Sequence, residues 1–175
     1  MTAIAQHRPG LVIVDLSLNG QPGLDLIKDI ASHYPNTKIL VLSMHDESLW
    51  AERAIRAGTL AYVMKQEKPG VLMSAIQQAI AGNMWLSPRM TDKMLKKATR
   101  SRAAETDKQV EDDLGNRELQ VLLLLGEGMN SRQIAEVLKI SKKTVDAHRE
   151  HIKRKLDLES SLDVMRYAVT RFAGK

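Results

Sequence analysis

Three residues in the first half of the chain could together handle a phosphoryl group. Asp15, Ser43 and Lys65 supply a carboxylate, a hydroxyl and an ammonium, and each closes or follows a short apolar run: residues 11–16, 38–43 and 60–64. A carboxylate can act as nucleophile toward phosphorus. A hydroxyl can donate to a phosphoryl oxygen, and an ammonium can balance the charge of the acyl phosphate. Alone, each residue type is usually structural or merely solvated at a strand end. The shared position at the ends of three successive runs is what makes the set chemical. Modification of Asp15 would be self-directed, and no substrate pocket is evident, so the chain is not expected to be an enzyme.

The elements that must position these residues follow from periodicity. Continuous apolar runs of this length suit parallel strands covered on both faces. Between them, Leu24, Leu26, Ile27 and Ile30 recur at helical spacing, with a stop at Pro35-Asn36. Leu49, Ala54 and Ile55 mark a second helix that Gly58 can end. Pro69 sits where a third should begin, with Leu72, Ala75, Ile76, Ala79 and Ile80 as its buried stripe and Gly82 at its end. Alternating strands and helices build a parallel sheet with right-handed crossovers. In such sheets ligands bind outside the carboxyl ends of the strands, where the trio falls.

The second half reads as all helix. Leu119, Leu122, Leu123 and Leu125 give a stripe closed by Gly126 and Gly128. Asn130, with Gln133 three residues on, predicts a capping box for a helix over 131–138. Lys139-Ile140-Ser141 is a turn, and Ser141 caps a longer helix to Leu156, with Val145, Ile152 and Leu156 inward. Two helices joined by so short a turn form a helix-turn-helix. The second of them carries Lys142, Lys143, Arg149, Lys153, Arg154 and Lys155 against Asp146 and Glu150. Cations there can hold phosphates while groove-facing residues read base edges.

Composition agrees with an anionic partner. The net charge is +5 and the isoelectric point is near 9.5. There is no cysteine, which excludes disulfides and thiolate metal sites and fits a reducing cytoplasm. No apolar run approaches the ~20 residues of a membrane-spanning helix, and the N-terminus lacks the pattern of a secretory signal. No membrane partner is expected.

Both halves resemble known families. Residues 12–20 (VIVDLSLNG), 40–45 (LVLSMH) and 57–65 (AGTLAYVMK) resemble the receiver domain of two-component response regulators, specifically the NarL/FixJ group. That resemblance makes Asp15 the phosphoacceptor, Ser43 the switch hydroxyl, Lys65 the charge-balancing lysine and Tyr62 the aromatic that changes rotamer with Ser43. It also implies a sensor histidine kinase as partner. Residues 114–119 (LGNREL), 128–135 (GMNSRQIA) and 140–148 (ISKKTVDAH), followed by Lys155-Leu156, resemble the LuxR-type helix-turn-helix. Double-stranded DNA is then the expected partner, with Ser131, Lys142, Lys143, Thr144, Asp146, Ala147, Arg149, Glu150, Lys153 and Arg154 at the interface. Asp146, Ala147 and Glu150 fall at the base-reading positions, where a carboxylate can accept from cytosine N4. Gly115 stands where the family usually has a Thr or Ser cap.

An intact receiver of this family binds Mg²⁺ through an acidic pair that precedes the phosphoacceptor strand. Only fourteen residues precede Asp15, at most ~50 Å of extended chain. The expected fold is therefore a partial flavodoxin-like α/β receiver lacking its first two strands, followed by an all-α helix-turn-helix domain. No complete metal site is expected, since Asp25, Asp29 and Asp46 read as helix face or loop. The family strand order 2-1-3-4-5 would leave the Asp15 strand at an edge, with Val12-Ile13-Val14 open to water or to another chain.

The expected domains are residues 1–86 (receiver), 87–112 (linker) and 113–175 (DNA-binding). In the linker, a helix from Met90 to Thr99 is allowed. Lys93, Lys96, Lys97, Arg100 and Arg102 are either solvated or placed to touch phosphates. In the last helix, about residues 162–172, Val164, Met165, Ala168, Val169 and Phe172 form a stripe. It either completes the domain core or, as in the family, pairs two copies.

Overall fold

The structure, a computed structural model, describes residues 1–16, 23–99 and 110–172. The end of the first receiver-like motif (residues 17–20), Arg100 and Arg102 lie outside the described residues. The chain divides into two compact units, residues 1–103 and 104–175.

The first unit is built on three parallel strands, β1 (Leu11–Val14), β2 (Lys38–Ser43) and β3 (Ala61–Met64), in the order β1-β2-β3. Register pairs Val14 with Val41 and Ser43 with Met64, which brings the carboxyl ends of the strands to one edge. A short helix α1 (Thr2–His7) precedes β1 and buries Ile4. Helices α2 (Gly23–His33) and α3 (Glu47–Ala57) bury Leu24, Ile27, Ile30, Trp50, Ala51 and Ala54. Asp46 caps α3 by accepting from Ser48 N at 2.7 Å. Gly58 ends α3 with φ 117°, and a Cβ there would come within 2.7 Å of Ala31 Cβ, so glycine is required twice over.

Helix α4 (Pro69–Ile80) packs Ala75 and Ala79 against Leu40, Ala61 and Val63. Its expected stripe is only partly buried. Ile80 is 61% exposed, while Leu72 and Ile76 are half-buried. The edge position of β1 is as expected, but its exposure is narrower: Ile13 is 47% exposed whereas Val14 is 3% exposed. Leu11 and Val12 are half-buried, so the exposure is concentrated at Ile13. The opposite edge holds a surprise. Trp85 forms an isolated parallel bridge with Ala61, and its N–H donates to Leu60 O at 2.9 Å.

The segment read as linker opens with helix α5 (Pro88–Thr99), which docks on α3. Ser87 donates through both N and Oγ to the Glu47 carboxylate. Lys93 donates to Ser48 O, Lys97 pairs with Glu52, and Lys96 pairs with Asp92. These cations are occupied within the chain, and the unit boundary falls after residue 103.

The second unit begins with a 3₁₀ turn (Val110–Asp113), followed by α6 (Asn116–Gly126), α7 (Ser131–Leu138), α8 (Lys142–Lys155) and α9 (Ser161–Phe172). Its core is Leu114, Leu119, Val121, Leu122, Leu125, Ile134, Val145, Ile152, Val164 and Ala168. Gly126 lies where α6 meets α9: a Cβ there would stand 2.8 Å from Ala168 O and from Phe172 Cβ. Among the described residues, no helix is long and apolar enough to cross a membrane.

Candidate nucleic-acid interface and the strand-end site

The helix-turn-helix is fastened by local chemistry. Asn130 Oδ1 accepts from Arg132 N and Gln133 N, while Gln133 Oε1 accepts from Asn130 N, closing the capping box. Ser141 Oγ accepts from Thr144 N at 3.0 Å. Lys139 takes the left-handed conformation that turns the chain, at φ 52°. Gly115 caps α6 without a side chain, and the missing half of the cap is supplied from within the helix: Glu118 Oε2 accepts from Gly115 N at 2.7 Å.

Together α7 and α8 line a polar cleft of about 470 Å³, formed by Asn130, Ser131, Arg132, Lys142, Asp146 and Arg149. Two helix N-termini and three cations converge there, a setting that favours an anion. Arg149 is oriented before any ligand arrives. One Nη donates to Ser131 Oγ at 2.9 Å and the other to Ser161 O at 3.4 Å. Ser131 is itself only 6% exposed, so it holds Arg149 rather than presenting a free hydroxyl.

Both acidic residues at the expected base-reading positions are paired. Lys142 holds Asp146 at 2.8 Å and Lys153 holds Glu150 at 2.8 Å. Hydrogen bonds from Lys142 and Ser131 keep the Asp146 carboxyl below its usual range. The bond from Lys153 does the same for Glu150. Lys143, Thr144, Ala147 and Arg154 are exposed along α8. Arg132 was missed in the sequence reading. The only signal for it was a cation one residue inside a capped helix N-terminus.

In the first unit Lys65 and Asp15 pair with each other, while Ser43 bonds within the loop that follows its strand. Lys65 Nζ donates to Asp15 Oδ2 at 2.6 Å. Ser43 is fully buried, and its Oγ accepts from His45 N at 3.2 Å. Tyr62 is also fully buried, and its hydroxyl donates to His45 O at 2.8 Å. Burial, together with nearby Glu47, Asp46 and Asp15, pushes the Tyr62 hydroxyl well above its ordinary range, so it remains a donor. The His45 ring stacks on Trp50 at 5.3 Å between centroids. Burial lowers its pKa against the pull of Asp15. Ser43 and Tyr62 thus both bond to His45 in the β2–α3 loop, and Lys65 meets Asp15. Among the described residues, Asp15 is in no group of three or more converging metal-ligand side chains.

Helix α9 divides its expected stripe. Val164, Ala168 and Phe172 are buried in the unit, Met165 is half-buried and Val169 is 41% exposed, while Leu162, outside the stripe, is 57% exposed. The start of the unit is tied to α9 by Glu111, which accepts from Tyr167 and from Arg171, each at 2.8 Å.

Comparison with known proteins accounts for both units. The luxR family of bacterial regulatory proteins matches residues 112–168, and the response regulator receiver domain matches residues 1–77. The oxygen regulatory protein NreC of Staphylococcus carnosus is 32% identical over 171 residues, spanning 96% of this chain and 79% of that protein. The Staphylococcus haemolyticus NreC is 31% identical over 172 residues, with the same coverage. Among solved structures, RcsB from Salmonella enterica serovar Typhimurium, bound to a promoter with the phosphomimetic BeF₃⁻, shares the fold. Its TM-score is 0.58 at 24% identity, covering 97% of this chain and 81% of that one. A LuxR-family two-component response regulator from Aurantimonas sp. SI85-9A1 aligns with 57% of this chain and 71% of its own, at 28% identity and TM-score 0.51. With a receiver-type unit followed by a LuxR-type helix-turn-helix, the chain belongs to the NarL/FixJ family of response regulators, DNA-binding transcription regulators of two-component systems.

Proposed function

We propose that this chain binds duplex DNA by laying α8 in the major groove, and that residues 1–175 do so without control by phosphorylation of Asp15. The observation that carries the DNA reading is the cleft at the α7 and α8 N-termini, where Arg149 is already oriented by Ser131 and Ser161. Lys142, Lys143, Arg149, Lys153 and Arg154 hold phosphates, with Ser131 positioning Arg149 and Thr144 lying at the α8 N-terminus. Asp146, Ala147 and Glu150 face the bases. To read cytosine, Asp146 must exchange Lys142 for a base amine, so each carboxylate acts as a filter that rejects sequences offering no donor.

The second half of the proposal rests on the Asp15 carboxylate. It is held by Lys65, and it belongs to no group of three or more converging metal-ligand side chains among the described residues. Mg²⁺ requires near-octahedral oxygen ligation and provides the main counter-charge for an incoming phosphoryl group. One carboxylate shared with an ammonium is a poor site for it. A sensor kinase would meet the same obstacle. Incubation with Mg²⁺ and acetyl phosphate should leave the intact mass unchanged. Stoichiometric phosphate, absent in Asp15→Asn, would overturn this half.

A second reading, as a protein that pairs with an intact response regulator and tunes it, is favoured by the edge strand β1 and its exposed Ile13. DNA binding by the purified chain alone supports the first reading. Tight pairing with a full-length relative and no independent DNA binding would support the second. Pairing of two copies through Leu162 and Val169 of α9, seven residues apart on one helix face, is consistent with either reading. The cytoplasm is the compartment both require.

A further inference from the structure

We propose that Glu118, His148 and His151 form a transition-metal site that clamps α6 to α8, with Zn²⁺ as the fitting cation. Their ligand atoms lie within 4.8 Å of one another, the one such group among the described residues. His148 and His151 are three residues apart on α8 and share a face, and Glu118 approaches from α6. His151 Nδ1 is 3.5 Å from Glu118 Oε1, and the two imidazoles meet edge to face at 6.4 Å between centroids.

His148 also carries a buried ring nitrogen, Nδ1, with no hydrogen-bond partner among the described residues. A buried ring nitrogen without a partner is costly unless something occupies it. Burial lowers the pKa of this imidazole against the attraction of Glu118.

The donor set fits a borderline cation. Two imidazoles and one carboxylate bind zinc tetrahedrally and leave a fourth position for water. Tetrahedral bonds of the usual length need ligands roughly 3.3 Å apart. The required contraction can come from His151, whose side chain is 48% exposed. Glu118 can ligate through Oε1 alone, because Oε2 is engaged by Lys155 at 2.7 Å and by Gly115 N. Lys155 and Arg117 oppose a cation, so the site is expected to be selective for ions that imidazole binds well rather than for Mg²⁺ or Ca²⁺. The clamp carries no chemistry of its own. It would fix α8 against the domain core, away from the side chains assigned to DNA.

The test uses the full 175-residue chain, titrated calorimetrically with Zn²⁺ and, for its visible absorption, with Co²⁺. One equivalent should bind, with Co²⁺ giving the intense bands of tetrahedral coordination and Zn²⁺ raising the melting temperature. Loss of a mere outer-shell partner weakens metal sites about 10–100-fold, so His151→Ala, at an exposed position, should weaken binding at least ~10-fold. His33→Ala, at an exposed histidine of the first unit, should leave it unchanged. No saturable binding, or binding that survives His151→Ala, would overturn the assignment.

Discussion

The strand-end site of the first unit and the cleft of the second are built from the same kinds of groups and are left in opposite states. At the strand ends the ammonium of Lys65 rests on Asp15, and the hydroxyls of Ser43 and Tyr62 are fully buried and bonded to the same loop. In the cleft, Lys142 and Arg149 also have partners, but those partners orient them around open space. A charge that is already neutralised by its partner contributes little to binding. A charge held in position at two helix N-termini is ready for a phosphate at little further cost in side-chain entropy. The cations of α5 and α8 differ in the same way. Lys93 and Lys97 bind α3, whereas Lys143 and Arg154 lie exposed on α8.

The largest effect should come from removing the oriented cation. Arg149→Ala should weaken binding to every duplex about tenfold or more, since hydrogen bonds to charged groups contribute roughly 1.5–3 kcal/mol. The salt dependence should flatten by about one phosphate's worth of counterion release. Equal affinity at several salt concentrations would show that the cleft does not hold a phosphate.

Specificity should respond differently. Asp146→Ala or Glu150→Ala should change the preferred operator by about 1–3 kcal/mol at one base pair, with little loss on random DNA. Competition of selected against random duplexes measures the difference. A uniform loss would place both carboxylates outside base readout.

Acid should weaken the second unit. Burial pushes the Glu118 carboxyl up, but hydrogen bonds from Lys155 and Gly115 N, with attraction to Lys155 and His151, outweigh it and hold the pKa down. Burial also opposes Glu111, and its bonds from Arg171 and Tyr167 prevail. A depressed folded pKa contributes stability above the ordinary carboxylate range, and that stability is lost as pH falls through the folded value. Helical melting of the second unit should therefore fall below about pH 4, less steeply in Glu118→Gln. A pH-independent melt would contradict these pairings.

Most of this was legible where the determinants are close in sequence. Asn130 with Gln133, Ser141 before α8, and Gly58 after α3 each set a helix end through neighbours within four residues. Strand-end logic also brought Asp15 and Lys65 together across fifty residues, because parallel register fixes where strand ends lie. What escaped depends on packing partners. The bond from Arg149 to Ser131, the docking of α5 on α3 through Glu47 and Glu52, and the bridge of Trp85 to β3 join residues that no local pattern connects. The stripe of α4 is apolar as read, but periodicity cannot say how much of it will be covered, and Ile80 is exposed.

The independence of the two sites can be measured in one titration. Fluorescence anisotropy of a labelled duplex with the 175-residue chain at low salt should give saturable binding, with superimposable curves in the presence and absence of Mg²⁺ and acetyl phosphate. No binding, or a phosphodonor-dependent change in affinity that disappears in Asp15→Asn, would contradict it.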